Sequence, residues 1–216
     1  GEGDETDFEP VGTLMRIPQL LVVRSDFPAG DMAGFVGAAR ERGATKPLSF
    51  GTGNTSSRIA GELLKVATRL DMAPVPYRGT PQALQDLVGG QIELFFADPY
   101  AASGLLTAGQ IKALAITDTS RLASLPRVPT MAEAGFPSVE LVSWAGVFAP
   151  ARTDPAIVER LNREINRILA TPQAREYIQK MGAAPMAMDR VEFRRFVSTE
   201  IARWGRLVDM AGIPKK

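Results

Sequence analysis

The stretch Lys46-Pro-Leu-Ser-Phe-Gly-Thr-Gly-Asn-Thr-Ser-Ser-Arg-Ile-Ala-Gly-Glu-Leu-Leu-Lys65 joins a short apolar run to a loop of small residues and then to a helical repeat. Residues 48–50 are typical of the end of a buried strand. Gly51 and Gly53 allow the backbone to turn sharply after it. Apolar side chains then recur at helical spacing, at Ile59, Leu63, Val66 and Leu70. The stretch therefore predicts a strand that ends in a loop and opens a helix.

The loop of this stretch has the features of an anion-binding helix N-terminus. Thr55, Ser56 and Ser57 are predicted to supply helix-capping hydroxyls. The first turn of a helix carries unpaired N–H groups and a partial positive charge, so a carboxylate or phosphate fits there without a basic side chain. The loop is not a P-loop, because no Gly-Lys-Ser/Thr follows, and it lacks the third glycine of the dinucleotide fingerprint. An ordinary capped turn is the alternative.

The composition narrows the possible functions. A chain of 216 residues with 45% hydrophobic residues suits one large domain or two small ones with a packed core. A formal net charge of +1 predicts no nucleic-acid partner. The chain contains no cysteine and no histidine, which excludes disulfides, thiolate chemistry and any catalytic triad that uses histidine. No stretch approaches the roughly 20 apolar residues of a membrane helix, and no cofactor or metal is predicted.

Between residues 20 and 117, predicted strands and helices alternate. This alternation predicts an α/β fold with a parallel or mostly parallel sheet covered by helices on both faces. Ligands of such sheets bind at the carboxyl ends of strands. Three predicted ends carry glycine or polar residues, in residues 53–56, 77–80 and 98–100. In the second of these, Thr80 is the predicted helix cap and Pro81 the first helical residue. The three loops converge on one crevice if the strand order places them side by side.

The remainder of the chain predicts one strand and three helices. The strand covers residues 141–149, and Asp154-Pro155 open the first of the helices. The expected buried stripe of that helix consists of Ile157, Leu161, Ile165 and Ile168. The last amphipathic helix is expected to pack through Phe193, Val197, Ile201, Trp204 and Val208.

Seven segments of the chain together resemble one protein family in their order and spacing. They are Phe8-Glu-Pro-Val11, Gly53-Asn-Thr-Ser56 with Ala60-Gly-Glu-Leu63, Val75-Pro-Tyr-Arg-Gly79, Asp86-Leu-Val-Gly-Gly-Gln91, Leu114-Ala-Ile-Thr117, Val128-Pro-Thr-Met-Ala-Glu-Ala-Gly135 and Trp144-Ala-Gly-Val-Phe-Ala-Pro150. The resemblance is to the extracytoplasmic solute-binding receptors of tripartite tricarboxylate transporters, also called the Bug family. It extends over nearly all of residues 7–213.

The resemblance implies a type II periplasmic binding protein fold, in which two α/β lobes close on a small carboxylate without performing chemistry. Such a receptor is periplasmic and hands its ligand to the permease subunits of a membrane transporter. Carried onto this chain, the implied ligand-binding residues lie in the same three loops. They are Gly53, Asn54, Thr55, Ser56, Tyr77, Gly79, Thr80 and Asp98. Because an ionised Asp98 repels an anion, its natural partner is an amine or hydroxyl of the ligand.

The chain departs from the family pattern in two respects. Arg58 stands where many members have histidine. An additional N-terminal segment of the family, which carries a Gly-Gly loop of the anion site, is absent. We therefore expect residues 1–11 to form a tail and the start of a crossover, residues 12–118 a complete second lobe, and residues 119–216 the returning part of an incomplete first lobe. Either another chain supplies the missing N-terminal segment, or the sequence is a fragment.

Two other functions are consistent with the same residues. One is a cytoplasmic ligand-sensing domain of the same fold, as in the effector domains of transcription regulators. The other is an enzyme that uses Asp98 together with Arg58 or Arg78, although a carboxylate in a turn is more often a helix cap. The ligand class stays broad: a di- or tricarboxylate, an amino acid or an aromatic acid.

Overall fold

The computed structural model describes residues 7–214, which form eight strands and seven helices. The strands are β1 (Phe8–Pro18), β2 (Leu20–Arg24), β3 (Leu48–Thr52), β4 (Met72–Pro76), β5 (Leu94–Ala97), β6 (Ile111–Ile116), β7 (Val142–Pro150) and β8 (Ala184–Pro185). The helices are α1 (Met32–Gly43), α2 (Thr55–Thr68), α3 (Thr80–Val88), α4 (Pro99–Thr107), α5 (Pro155–Leu169), α6 (Pro172–Lys180) and α7 (Arg190–Met210).

The chain divides into two compact units. The larger unit is Pro18–Val142, and the smaller unit combines the chain up to Ile17 with the chain from Ser143 onward. The chain therefore passes between the units twice. The boundaries lie later than residues 12 and 118, where the sequence analysis puts them. Contacts with the end of β6 explain the second boundary: Ile116 pairs with Thr130, and the Leu141 amide donates to the Thr117 carbonyl (3.1 Å).

The larger unit is built on a five-stranded sheet with the order β4-β3-β5-β2-β6. β3 pairs in parallel with β4 and β5, whereas β2 is antiparallel to both β5 and β6. Four of the five strands thus run in one direction, as the alternation of elements predicts. β2 runs the other way, a feature that the sequence pattern does not reveal.

The core of the larger unit surrounds this sheet. The four apolar residues of β2, from Leu20 to Val23, are completely buried, as expected for a strand covered on both faces. α2 packs on β3 through a small residue, because a Cβ at Gly61 would lie 2.2 Å from the Phe50 ring. α1 begins after Asp31, whose carboxylate accepts a hydrogen bond from the Gly34 amide (2.7 Å).

The smaller unit has a three-stranded sheet with the order β7-β1-β8. α5 crosses β1 and is tied to it by the Asn162 side-chain amide, which donates to the carbonyls of Val11 (2.7 Å) and Met188 (3.0 Å). Val158 of the same helix is completely buried against Val11. α7 is tied to β1 by Glu9, which accepts from Arg190 (2.7 Å) and also from Arg194.

The predicted buried stripe of α5 is wrong at most of its positions. Three of its residues are about half exposed, namely Ile157 (52%), Leu161 (43%) and Ile168 (50%). The positions that follow them, Val158, Asn162 and Leu169, are buried instead. Apolar residues cover a wide sector of α5. The hydrogen bonds of Asn162 hold the half of this sector that contains Val158 against β1.

The stripe predicted for the last helix is correct in part. Phe193 is completely buried, whereas Ile201 is half exposed. Trp204 is partly buried, and its indole N–H donates to Glu200 (3.1 Å).

Candidate functional site

The three loops of the predicted site follow three neighbouring strands of the larger unit. The sheet order β4-β3-β5 places the loop after β3 between the other two. Phe50 of β3 is level with Pro74 of β4 and with Leu94 of β5. Neighbouring strands lie about 4.8 Å apart, so the condition that the sequence analysis set for convergence is met within this unit.

The first two loops are in direct contact. The Tyr77 amide donates to the Thr52 carbonyl (2.9 Å), which continues the pairing of β3 and β4 by one residue. A Cβ at Gly53 would lie 3.0 Å from both the Gly79 carbonyl carbon and the Thr80 nitrogen. A side chain at position 53 would therefore press on the backbone of the second loop, which would have to shift to accommodate it.

α2 begins with a capping box. The Asn54 side chain accepts from the Ser57 amide (2.8 Å), and the buried Ser57 hydroxyl accepts from the amides of Gly53 (2.9 Å) and Asn54 (3.1 Å). The predicted capping hydroxyl of Ser57 is confirmed, whereas Asn54 is the N-cap and Thr55, predicted as a cap, is the first helical residue. Serine and asparagine both cap helices, and only the backbone path shows which residue stands at the cap.

The capping box takes up much of the donor capacity that the sequence analysis assigned to an anion. The amides of Gly53, Asn54 and Ser57 are bonded to side chains of the same loop. Within residues 7–214, the Thr55 amide has no protein acceptor, and the Thr55 side chain is exposed. Thr55 thus provides one N–H and one hydroxyl for a ligand at this helix.

α3 begins at Thr80, and its N-cap is Gly79, which supplies no side-chain cap. Thr80 is therefore not the cap that the sequence analysis predicts, since its backbone is already helical. In the described part of the chain, the amides of Thr80 and Gln82 have no protein acceptor. Gln82 is absent from the predicted site, yet its position in the first turn after Thr80-Pro81 is a signal that the sequence contains.

The Tyr77 side chain serves the protein itself. Its hydroxyl donates to Asp86 of α3 (2.7 Å), and its half-buried ring packs against the core. Burial of the phenol and the neighbouring Asp86 carboxylate raise the pKa of Tyr77 to about 12. The phenol therefore stays protonated, and its hydrogen is already donated within the larger unit.

Asp98 is the N-cap of α4, where its carboxylate accepts from the Ala101 amide (2.9 Å). This negative charge compensates the positive end of α4, so an anion is better placed at the N-termini of α2 and α3. Asp98 is thus a helix cap, which is the more common role of a carboxylate in a turn and the alternative to the enzyme hypothesis.

Two arginines flank the paired loops. Arg58 lies in the first part of α2, four residues after Asn54, and Arg78 is exposed between Tyr77 and Gly79. Within the described residues, neither guanidinium forms an ion pair or a hydrogen bond, and the buried Nε of Arg58 lacks an acceptor. Side chains on a helix lean toward its N-terminus. The charge of Arg58 is therefore directed toward the N-terminal end of α2, next to the loop.

A separate groove of about 480 Å³ lies between α3 and α4. Its walls are mainly apolar and include Leu84, Val88 and Leu105. None of the predicted site residues lines this groove. It is therefore not the anion site that the three loops predict.

The order and direction of the strands, with two chain passages between α/β units, define the class of protein, a periplasmic binding protein of type II. The chain belongs to a family within that class. The family model described as "Tripartite tricarboxylate transporter family receptor" matches residues 4–213.

Individual relatives agree with this membership. A UPF0065 protein encoded in the tcbD-tcbE intergenic region of a Pseudomonas species is 35% identical over 206 residues, which are 94% of this chain and 61% of the relative. The solved structure of R. palustris Rpa4515 with adipate is 34% identical, with a TM-score of 0.83 over 98% of this chain and 71% of that chain. MatC (Rpa3494) from Rhodopseudomonas palustris with bound malate is 32% identical, with a TM-score of 0.73 over 93% and 69% of the two chains.

The chain spans about six tenths of the length of the curated relative from Pseudomonas. None of the helices in residues 7–214 combines the length and apolarity needed to cross a membrane. The family is one of solute-binding receptors, and the two similar solved structures contain adipate and malate.

Proposed function

We propose that the protein is an extracytoplasmic receptor that binds a small carboxylate at the paired N-termini of α2 and α3 and releases it unchanged. The observation that carries the proposal is the contact between the two loops. The backbone of Gly53 lies against the peptide between Gly79 and Thr80. Two helix N-termini with unpaired amides are thereby brought together in a protein of a receptor family.

The ligand class follows from the donors at these two N-termini. The amides of Thr55, Thr80 and Gln82 and the threonine hydroxyls are donors suited to carboxylate oxygens. Adipate and malate, the ligands in two similar solved structures, are both dicarboxylates. The proposed ligand is a di- or tricarboxylate, with an amino acid or an aromatic acid as the other members of the class.

Binding without transformation is consistent with the chemistry of the chain. It offers neither a histidine nor a cysteine as nucleophile or general base. The Asp98 carboxylate is held as a helix cap and can accept a hydrogen bond from a ligand hydroxyl or amine. Attraction for the anion comes from the unpaired amides at the N-termini of α2 and α3, so this acceptor role of Asp98 is compatible with carboxylate binding.

The proposed cellular setting follows from the family. The receptor acts in the periplasm and delivers its ligand to the permease subunits of a tripartite transporter. The larger unit would be the second lobe of the binding protein and the smaller unit the returning part of the first.

Substitutions of Thr55 in the complete protein test the proposed carboxylate site directly. Proline is tolerated at the first helical position, and Asn54 before it is extended (φ −162°, ψ 178°), so Thr55→Pro should fold normally. This substitution removes the unpaired amide and the hydroxyl, whereas the control Thr55→Ala removes the hydroxyl alone. Calorimetric titration with adipate, malate and an amino-acid panel measures the affinity of each variant.

We expect at least one acid to bind, and about tenfold weaker binding to Thr55→Pro than to Thr55→Ala, because one charge-assisted hydrogen bond is lost. Thermal unfolding without ligand should be the same in both variants. Absence of binding to the unmodified protein would overturn the proposed function. Binding that is equal in the two variants would place the ligand away from α2.

A further inference from the structure

Charge is distributed unevenly across the three loops of the proposed site. The strand order β4-β3-β5 places the loop with Arg78 on one side, the start of α2 with Arg58 in the middle and the loop with Asp98 on the other side. Because neighbouring strands lie about 4.8 Å apart, the two outer loops are separated by roughly 10 Å. The site therefore has a positive side and a negative side, and the positive side begins at α2.

Arg58 is the partly buried cation of the positive side. Within residues 7–214 its guanidinium has no ion pair and no hydrogen bond, and its Nε is buried without an acceptor. Arg190 also has a buried Nε without an acceptor, but its terminal nitrogens pair with Glu9 and Glu159. A buried donor that lacks an acceptor costs free energy. Arg58 is therefore suited to receive an acceptor from a ligand.

The position of Arg58 on α2 places its charge close to the first carboxylate of a bound ligand. Arg58 follows the N-cap Asn54 by four residues, which is roughly 6 Å along the helix axis. Its side chain leans back toward the N-terminus, where the unpaired Thr55 amide lies. A guanidinium binds a carboxylate through two parallel N–H bonds. Arg58 can thus contact a second carboxylate of a ligand whose first carboxylate binds at the amides.

We infer that Arg58 determines the specificity of the receptor by binding the second carboxylate of a dicarboxylate. A monocarboxylate with an apolar chain leaves the buried Nε without an acceptor, so it binds more weakly. Asp98 on the opposite side repels a second carboxylate and thereby fixes the orientation of the ligand. This inference rests on the proposed function and deepens it, because it names dicarboxylates as the preferred ligands.

Pairs of acids with equal chain length test this inference in the complete protein. Adipate is paired with hexanoate, and malate with 2-hydroxybutanoate, so that the members of a pair differ by one carboxylate. Titration calorimetry measures both affinities and hence the preference for the dicarboxylate. Arg58→Gln removes the charge, and Arg58→Lys keeps it. The matched control is Lys65→Gln, which removes the same charge on the same side of α2 but roughly 10 Å further from the loop.

We expect the unmodified protein to bind the dicarboxylate of a pair about tenfold more tightly than the monocarboxylate. Arg58→Gln should weaken dicarboxylate binding about tenfold and change monocarboxylate binding by less than about threefold. Arg58→Lys should keep most of the preference, and Lys65→Gln should keep all of it. A purely structural role of Arg58 would weaken both acids of a pair equally, so the ratio of the two affinities separates these roles.

The inference is overturned if the unmodified protein binds an acid without preferring the dicarboxylate of a pair, or if Arg58→Gln weakens both acids equally. It is also overturned if Arg78→Gln removes the preference and Arg58→Gln does not, because the second carboxylate then binds at the loop after β4. Carboxylate binding persists in each of these outcomes, so the proposed function stands. If no acid binds to the unmodified protein, the proposed function fails and the inference fails with it.

Discussion

The two units of this chain use their apolar residues differently. The larger unit buries a cluster of twelve apolar residues around its sheet, and the described part of the smaller unit contains two clusters of three buried residues each. Of the eleven large hydrophobic residues that are exposed in the described chain, only Val66 and Tyr100 lie in the larger unit. Among the described residues, the smaller unit therefore leaves more of its large apolar side chains exposed than the larger unit does.

Polar side chains tie the helices of the smaller unit to β1. Glu9 holds β1 to α7 through Arg190 and Arg194, and Asn162 holds α5 to β1. These contacts orient the helices without covering their apolar sides. The predictions below test this difference between the units.

The largest expected effect separates two leucines on helices. Leu64 of α2 is completely buried, and Leu161 of α5 is 43% exposed. Leu64→Ala should lower the free energy of unfolding by about 2–5 kcal/mol through lost burial and a cavity. Leu161→Ala in the chain of 216 residues should change it by less than about 0.5 kcal/mol. Urea unfolding followed by far-UV circular dichroism measures both.

Tryptophan fluorescence assigns such effects to a unit, because both tryptophans, Trp144 and Trp204, lie in the smaller one. Equal destabilisation by the two leucine substitutions would contradict the contrast between the units.

Gly53→Ala probes the contact on which the proposed site depends. Its Cβ would meet the backbone of Gly79 and Thr80 at 3.0 Å, so the two loops must separate. We expect a loss of stability of about 1–3 kcal/mol and weaker carboxylate binding. The control is Gly37→Ala in α1, where a Cβ has no atom within 4 Å and helix propensity favours alanine. Unchanged carboxylate affinity in Gly53→Ala would show that the loop contact is not part of the site.

Tyr77→Phe distinguishes packing from ligand contact. The substitution removes the hydrogen bond to Asp86 and keeps the ring, so we expect a loss of about 1 kcal/mol in stability. Carboxylate affinity should stay the same, because the hydroxyl is already donated to the protein. A clear loss of affinity with unchanged stability would reverse this assignment. Thermal unfolding and calorimetric titration of the same sample provide both values.

The smallest effect is a pH dependence of the smaller unit. Burial of Glu9 would raise its pKa, but hydrogen bonds and charges from Arg190 and Arg194 outweigh it, and the pKa is lowered. A carboxylate with a lowered pKa stabilises the folded state above its unfolded pKa, near 4.5, and this contribution is lost as the pH falls through the folded value. Glu9→Gln should therefore destabilise the tryptophan-monitored transition at pH 7 and have little effect in acid.

The matching control lies in the larger unit. Hydrogen bonds from Arg121 and from the Thr130 amide lower the pKa of Glu133 to about 2. Because this ion pair is exposed, Glu133→Gln should cause only a small shift of the dichroism transition, which disappears between pH 4.5 and 2. A pH-independent effect of Glu9→Gln would show that its ion pairs do not stabilise the smaller unit.

Local sequence signals predicted the elements that position the site. Asp154 was expected to begin a helix, and its carboxylate accepts a hydrogen bond from the Ala156 amide in the first turn. Gly89 and Gly90 were part of a family motif. Gly90 lies just after the end of α3 and has a positive φ (+83°), a conformation that favours glycine. These features depend on a few neighbouring residues and are readable for that reason.

Contacts between distant residues account for the incorrect predictions. Both Gly79 and Thr80 are residue types that can cap a helix. In the fold the N-cap is Gly79, in a loop whose backbone lies directly against Gly53. The rotation of α5 follows from Asn162 and its bond to Val11, a partner 151 positions away in the sequence. A helical repeat defines an apolar sector and does not specify which part of it is docked.

The amino-acid sequence alone was sufficient for the α/β class, the receptor family and the three loops that follow neighbouring strands, since these depend on local spacing and composition. The folded chain was needed to show that Ser57 and Asn54 occupy three amides of the first loop, that β2 runs against its neighbours and that Ile157, Leu161 and Ile168 of α5 are exposed. Each of these depends on which distant groups meet, and hydrogen bonds and steric contacts between such groups have no signature in a single segment.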